Sequence, residues 1–215
     1  MTDPKNSIRT FLRDHGISIV GFCQIPETTV VPEVDTTFPR AIVFGFILSR
    51  SVLDTIKDRP TLLYKHHYKT VNWILDQTAC LLVGHLEAQQ KRALAIPASQ
   101  IINWEHRKGH VSHIVLGNTA GLGYIGRSGL LIHPVHGAHV RYISVLTDLD
   151  FEPDEPTTFT CGKCKACIAV CPAQAISETG VDIEKCYAKL NEFARIRGIG
   201  QHICGVCVKA CHGTH

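Results

Sequence analysis

The sequence predicts an α+β protein: an α/β domain over residues 1–150, followed by a small cysteine-rich domain over residues 151–215. Three observations carry that expectation. The longest helical signal runs from Tyr64 to about Lys91, where Val71, Ile74, Leu75, Thr78, Leu81, Leu82, His85 and Leu86 recur at steps of three and four. Strand-like apolar runs lie on both sides of it, and strands interleaved with helices imply an α/β arrangement. Eight of the ten cysteines then fall between Cys161 and Cys211. A chain of 215 residues has room for one sizeable core and a small appended domain.

Taken in order, Ser7–Asp14 reads as a short helix with Ile8, Phe11 and Leu12 on one face, closed by Gly16. Ile17–Phe22 reads as a strand, and Gln24–Pro39, with three prolines and several threonines, as a loop or edge segment. Ala41–Leu48 is rich in Ile, Val and Phe between Arg40 and Ser49, which marks a buried strand. The helix from Tyr64 to Lys91 would span roughly 40 Å at 1.5 Å per residue. Leu94–Ile96 and Pro97 lead into a polar, histidine-bearing stretch, Asn103–His113, before Ile114–Leu116 turns apolar again. Leu130–His133 and Val140–Leu146 read as strands around Pro134 and Gly137. The acidic segment Asp148–Thr158, with Pro153 and Pro156, is expected to link the two domains. Tyr187, Leu190, Phe193, Ala194 and Ile196 mark one more helix, ended near Gly198 or Gly200.

The cysteines carry the chemistry. Cys161-Gly-Lys-Cys164-Lys-Ala-Cys167-Ile-Ala-Val-Cys171-Pro172 is the run found in bacterial two-cluster ferredoxins, and Cys186, Cys204, Cys207 and Cys211 form a second set. Two-residue gaps let a tight loop aim successive sulfurs at one cubane, and Pro172 ends the turn behind Cys171. Disulfides need an oxidising compartment, and zinc takes isolated Cys-x2-4-Cys pairs, so two 4Fe–4S clusters are expected. In such ferredoxins the fourth cysteine of a run ligates the other cluster. That resemblance assigns Cys161, Cys164, Cys167 and Cys211 to one cluster, and Cys171, Cys186, Cys204 and Cys207 to the other. Cys23 and Cys80 lie outside the pattern in apolar surroundings and are expected as buried structural thiols.

Apolar residues make up 45% and charged residues 19%, as in an ordinary globular protein. A net charge of +3 is too small to argue for nucleic acid. The start, Met-Thr-Asp-Pro-Lys-Asn-Ser, has no apolar signal-peptide core, and the longest apolar run, Ala41–Leu48, falls far short of the ~18 residues of a spanning helix. Thiolates kept free for clusters need a reducing interior. The expected location is the cytoplasm, without membrane contact.

Ala120-Gly-Leu-Gly-Tyr-Ile-Gly-Arg-Ser-Gly-Leu-Leu-Ile132 is the second informative stretch. Its Gly121-x-Gly123-x-x-Gly126 is a poor dinucleotide fingerprint, because it comes late and lacks a helix behind it and an acid about twenty residues on. With Leu146-Thr147-Asp148, the eight-cysteine set, the lone Cys186 and Tyr64-x-x-x-Tyr68-Lys69, it resembles the epoxyqueuosine reductase family from about Tyr64 to Cys211. Respiratory reductive dehalogenases share that architecture. The resemblance implies a nitroreductase-like corrinoid-binding domain joined to a two-cluster ferredoxin domain, with cobalamin beside the clusters. It implies that Gly121, Gly123, Tyr124, Gly126, Arg127 and Ser128 contact cobalamin, so Gly123→Val is expected to abolish corrinoid binding and spare the clusters. It also implies a low-potential donor of ferredoxin or flavodoxin type, with electrons entering at the Cys186 cluster and leaving the other cluster for cobalt.

Three departures shape the substrate expectation. Counting back from the glycine stretch, the family's catalytic aspartate position holds Arg107, within Glu105-His106-Arg107-Lys108-Gly109-His110. Arg127 is followed by Ser128 where the family has asparagine. The sequence ends four residues after Cys211, where the tRNA-modifying enzymes continue into a helical-repeat domain. A small molecule or partner redox protein is therefore expected in place of tRNA. His106 and His110, with Arg107 and Tyr68, are the candidate catalytic residues, since histidine can donate a proton near neutrality. His113 falls in the same stretch, and the alternative for these histidines is a solvated loop. His133, His136 and His139 are read as surface or cofactor-edge histidines in preference to a metal site, because Pro134 and Gly137 spoil a helical face. Lys65, His66, His67 and Lys69 read as a solvated basic helix end. The alternative to an enzyme is an electron carrier or corrinoid-handling protein.

Overall fold

The computed structural model describes residues 3–25, 33 and 38–213. Most of the expected loop Gln24–Pro39 lies outside the described residues. The elements in chain order are α1 (Pro4–Asp14), β1 (Ile19–Gln24), β2 (Arg40–Ile47), α2 (Arg50–Asp54), α3 (Leu62–Glu87), β3 (Ala93–Ile96), α4 (His113–Thr119), β4 (Tyr124–Ile125), β5 (Leu131–Ile132), β6 (Val140–Thr147), α5 (Ala166–Val170), β7 (Ile176–Ser177), β8 (Gly180–Val181), α6 (Ile183–Ala194) and α7 (Val206–Lys209). Contacts divide the chain otherwise than the linear 1–150/151–215 expectation. One unit comprises Met1–Phe46, Asn72–Leu122 and Arg141–Thr157; the other comprises Ile47–Val71, Gly123–Val140 and Thr158–His215.

The first unit is built on a four-stranded sheet of order β1-β2-β6-β3. β1 and β2 pair antiparallel with Ile19 opposite Gly45, and β3 and β6 pair antiparallel with Ala93 opposite Thr147. Asp3 caps α1 by accepting the Lys5 N–H at 3.0 Å, Pro4 opens the helix, and Gly16 at φ +80° ends it. Ile8 and Leu12 turn inward. Gly21 has a steric reason: a Cβ there would lie 2.3 Å from the Ala120 carbonyl oxygen, so only glycine lets the end of α4 approach β1. Phe22 is fully buried, worth roughly 1.5–3 kcal/mol.

Along Asn72–Glu87 of α3, the buried positions are Leu75, Thr78, Ala79, Leu82 and Leu86. Leu81, expected in the apolar stripe, is 53% exposed, and Ala79 takes its place against the core. Cys23 is buried as expected, and its thiol is pushed up to about 12, first by burial and then by Asp154. Cys80 is exposed, which corrects its reading as a buried thiol. The expected linker is also corrected. Asp148 pairs with Arg92 at 3.0 Å, Asp150 with Arg40 at 3.1 Å, and Asp154 with Lys5 at 2.5 Å. The Asp154 carboxylate accepts the Phe22 N–H at 3.0 Å, and Leu149 and Phe151 are buried. The acidic segment through Thr157 is therefore tied to this unit, because its carboxylates meet basic side chains on α1, β2 and the start of β3.

In the second unit, α5 packs against α7, and α7 against α2. Lys209 on α7 donates to the carbonyls of Asp54 at 3.1 Å and Ile56 at 2.6 Å. Gly205, at φ +85°, precedes α7 and would bring a Cβ within 2.7 Å of Ile56 and Tyr64. The basic helix end is only partly solvated: Lys65 donates to the Gly198 carbonyl at 2.6 Å, and the His67 Nε2 accepts the Ser49 N–H at 3.0 Å. Two short antiparallel hairpins complete the unit, β4–β5 with Tyr124 opposite Ile132, and β7–β8.

Candidate metal centre

The second unit brings the eight patterned cysteines together as two groups of four. Cys161 and Cys164 bracket a turn closed by the Cys164 N–H on the Cys161 carbonyl at 3.0 Å, with Gly162 at φ +50°. α5 then carries Cys167, and α7 leads to Cys211. These four sulfur-bearing residues line one cavity of about 420 Å³. Among the described residues, no three His, Cys, Asp or Glu side chains converge closely enough for a single metal ion. The four cysteines line a common cavity.

The other four form the second group. The Cys207 thiol is pushed up to about 12, first by burial and then by Cys204, Cys186, Cys171 and Cys167. That of Cys204 rises to about 11 by burial, with Cys186 and Cys171 as its thiol neighbours. Cys186 rises first by burial and then by Cys171. Cys171 thus faces the second set although it closes the first run, and Cys211 faces the first set although it closes the second. A helical turn after Cys167 and another after Cys207 make the crossing: α5 and α7 occupy matching places in the repeated Cys-x2-Cys-x3-Cys and pack side by side. The Ala175 N–H also points at the Cys171 sulfur at 3.3 Å.

The glycine-rich stretch divides between the units at Leu122 and Gly123. Gly121, at φ +70°, faces the Glu155 carbonyl, where a Cβ would lie 2.4 Å away. In the other unit Tyr124, Gly126, Arg127 and Ser128 line the same cavity as Cys161, Cys164, Cys167 and Cys211. A Cβ on Gly126 would sit 2.6 Å from the Ile132 side chain and 3.3 Å from the Cys161 sulfur. Tyr124 and Ile132 pack against Cys161 and Cys211. The absent side chains therefore make room for the protein's own backbone and for the cysteine cavity. At Gly123 a Cβ would lie 2.1 Å from the Ile132 carbonyl oxygen of the β4–β5 hairpin. Gly123→Val should open that hairpin and lose the adjacent cluster. Iron after anaerobic reconstitution should fall from about eight to about four per chain, with helical circular dichroism retained.

The histidine-bearing loop lies in the first unit. Asn103 and Lys108 close a tight hairpin through paired N–H to carbonyl bonds of 3.1 and 3.0 Å. His106 is exposed on it, and Arg107 is half-buried at φ +52°. His110 approaches Glu33 at 3.5 Å, and its Nδ1 is buried without a hydrogen-bond partner among the described residues. His113 is structural: its Nε2 donates to the Pro97 carbonyl at 3.0 Å, and its Nδ1 accepts from the Ser144 hydroxyl at 2.9 Å. Tyr68 belongs to the other unit, half-buried with its ring 6.3 Å from that of Tyr64. His133 likewise serves the chain, its Nδ1 accepting the N–H groups of Val135 at 3.1 Å and His136 at 3.2 Å. Sequence reasoning missed the role of Arg127, whose guanidinium donates to the carbonyls of Cys164 at 2.7 Å, Gly162 at 2.8 Å and Glu178 at 3.2 Å. No local pattern announces those acceptors.

No protein-family profile matches the chain. An epoxyqueuosine reductase of Staphylococcus aureus is 34% identical over 85 residues, 39% of this chain and 22% of the relative. A tetrachloroethene reductive dehalogenase of Desulfitobacterium hafniense is 39% identical over 94 residues, 40% of this chain and 17% of the relative. Each match thus spans less than a quarter of the curated relative's length. In fold, 98% of the chain superposes on 32% of a reductive dehalogenase described for B12-dependent dehalogenation, with TM-score 0.79 and 21% identity. The same share superposes on 66% of an epoxyqueuosine reductase bound to an epoxyqueuosine-modified tRNA stem loop, with TM-score 0.67 and 17% identity. Over those stretches the chain is similar in sequence to epoxyqueuosine reductases and reductive dehalogenases, and over nearly its whole length it shares the fold of both.

Proposed function

We propose that this chain is a cobalamin-dependent iron–sulfur reductase with two 4Fe–4S clusters. The observation that carries the reading is the sorting of eight cysteines into two crossed groups of four, one of them around a single cavity. Cys161, Cys164, Cys167 and Cys211 would hold one 4Fe–4S cluster, and Cys171, Cys186, Cys204 and Cys207 the other, in a ferredoxin-like region over 151–215. Cobalamin is proposed from the B12-dependent relative, with its domain over 1–150. When bound, these groups supply the electron-transfer and reductive chemistry, and the chain supplies their seats and protons. The six glycine-stretch residues fit the cluster cavity and the chain's own packing, so no corrin contact is assigned to them.

His110, His106, Arg107 and Tyr68 remain the proposed catalytic side chains, with the histidines as proton donors. A ferredoxin- or flavodoxin-type donor in a reducing cytoplasm is the proposed electron source. Among the described residues, no helix is long and apolar enough to cross a membrane. A small-molecule substrate is proposed because arginine, a poor acid, stands at Arg107. One relative holds a tRNA stem loop, so tRNA is one arm of the test. The place of Tyr124, Gly126, Arg127 and Ser128 on the cysteine cavity favours a second reading: an electron-transfer or corrinoid-handling protein without substrate chemistry.

Anaerobic reconstitution with iron, sulfide and cobalamin, followed by gel filtration, tests the reading. About eight iron per chain and corrin absorbance eluting with the protein are expected. Stoichiometric zinc would overturn the clusters, and corrin that never co-elutes would leave the electron carrier. Dithionite-reduced protein is then offered epoxyqueuosine-containing tRNA and halogenated phenols. Queuosine formed over several turnovers would place the substrate with tRNA.

A further inference from the structure

We propose that Arg127 is a positioning residue for the cluster of Cys161, Cys164, Cys167 and Cys211, clamping its loop and raising its reduction potential. The proposal rests on the cluster reading above and concerns a residue that family resemblance would give to the corrin. All three guanidinium nitrogens are engaged by backbone: Nη2 on Gly162 at 2.8 Å, Nη1 on Cys164 at 2.7 Å, and Nε on Glu178 at 3.2 Å. Gly162 and Cys164 belong to the turn that aims Cys161 and Cys164 into the cavity, and Glu178 sits in the turn between β7 and β8. One side chain thus ties the ligand turn to a neighbouring hairpin, and Arg127 itself lines the cavity. Its planar fork matches several carbonyls at once, which an ammonium cannot do.

The charge adds a second effect. Four thiolates make a 4Fe–4S centre anionic, and uptake of one electron makes it more so. A guanidinium that stays protonated across the working pH range stabilises the reduced state more than the oxidised one, so it raises the potential. Outer-shell groups of this kind orient ligands and tune the metal. Lys165 is paired with Glu178 at 2.5 Å, and Lys163 lies within the turn and lines the cavity, so both add positive charge nearby, whereas the Arg127 guanidinium bonds the turn's own carbonyls.

The test compares the reconstituted wild-type protein with Arg127→Gln and Arg127→Lys. Dithionite supplies the electron in a mediated titration followed by electron paramagnetic resonance. In Arg127→Gln, reduction of one cluster should become about tenfold less favourable, about 59 mV for one electron, while the other stays within error. Selective loss of one cluster, with about four iron remaining, would equally support the clamp. Arg127→Lys keeps the charge without the fork, so its potential should lie nearer wild type while its iron is lost faster to a chelator. Unchanged potentials and iron in Arg127→Gln, or equal effects on both clusters, would overturn the proposal. So would weakened corrin binding with both clusters unaltered. A wild-type protein that assembles no clusters would instead sink the functional reading on which the proposal stands.

Discussion

A Cys161→Ala, Cys211→Ala double variant should keep one spectroscopically normal cluster and about four iron per chain, whereas Cys161→Ala, Cys171→Ala should keep no normal cluster. The reasoning is geometric. Cys211 lines the cavity of Cys161, Cys164 and Cys167 although it follows Cys161 by fifty positions. Cys171 instead neighbours Cys186, Cys204 and Cys207. The first pair therefore removes two ligands from one site and none from the other, and the second pair removes one ligand from each. If the chain ligated its clusters in simple sequence order, the two results would exchange. Iron analysis and low-temperature electron paramagnetic resonance of the reduced proteins distinguish the patterns directly.

The gathering of Cys161, Cys164, Cys167 and Cys211 around one cavity has a local part legible in sequence: two-residue gaps define a turn, and a three-residue gap defines the helical step that crosses. α1, β1, β2, α3 and β6 were legible for the same reason, since a periodic run of apolar residues encodes its own buried face. What a missing side chain faces is a tertiary property. Gly121, Gly123 and Gly126 read equally well as room for a flat cofactor or as room for Glu155, Ile132 and Cys161, and an added Cβ would meet the latter three. Leu81 and Cys80 sit on the outer side of α3 because the core contact rotates toward Ala79. The segment 148–157 reads as a tether until Lys5, Arg40 and Arg92, remote in sequence, supply partners for its acids. Helix α4 is seven residues long, too short for periodicity to declare it.

Wild-type protein should lose more stability than His113→Gln as pH falls below about 6.5, by about 1 kcal/mol at pH 5.5 and about 3 kcal/mol at pH 4. His113 is half-buried between α4, β6 and the end of β3, and the burial of its ring lowers its pKa to about 4. The Pro97 carbonyl and Asp76 oppose that shift, while Arg141, bonded to the Ala98 carbonyl at 3.1 Å, adds to it. The neutral ring is the form that fits, because its Nδ1 must accept from Ser144. A folded-state pKa below the unfolded value means that the unfolded chain binds more protons, so the stabilisation is complete above about 6.5 and disappears through about 4. Glutamine cannot take up that proton, yet its amide can still donate to the Pro97 carbonyl. The variant should therefore be weaker at neutral pH, because one carboxamide does not reproduce the spacing with which the two ring nitrogens serve Ser144 and Pro97, and flatter below it. Urea titrations of both proteins at matched iron content, at pH 7.5 and 5.5, measure the difference. Parallel losses in the two proteins would show that His113 does not stay neutral in the fold, and that the join between Pro97 and His113 is held by Asp76 and Arg141 instead.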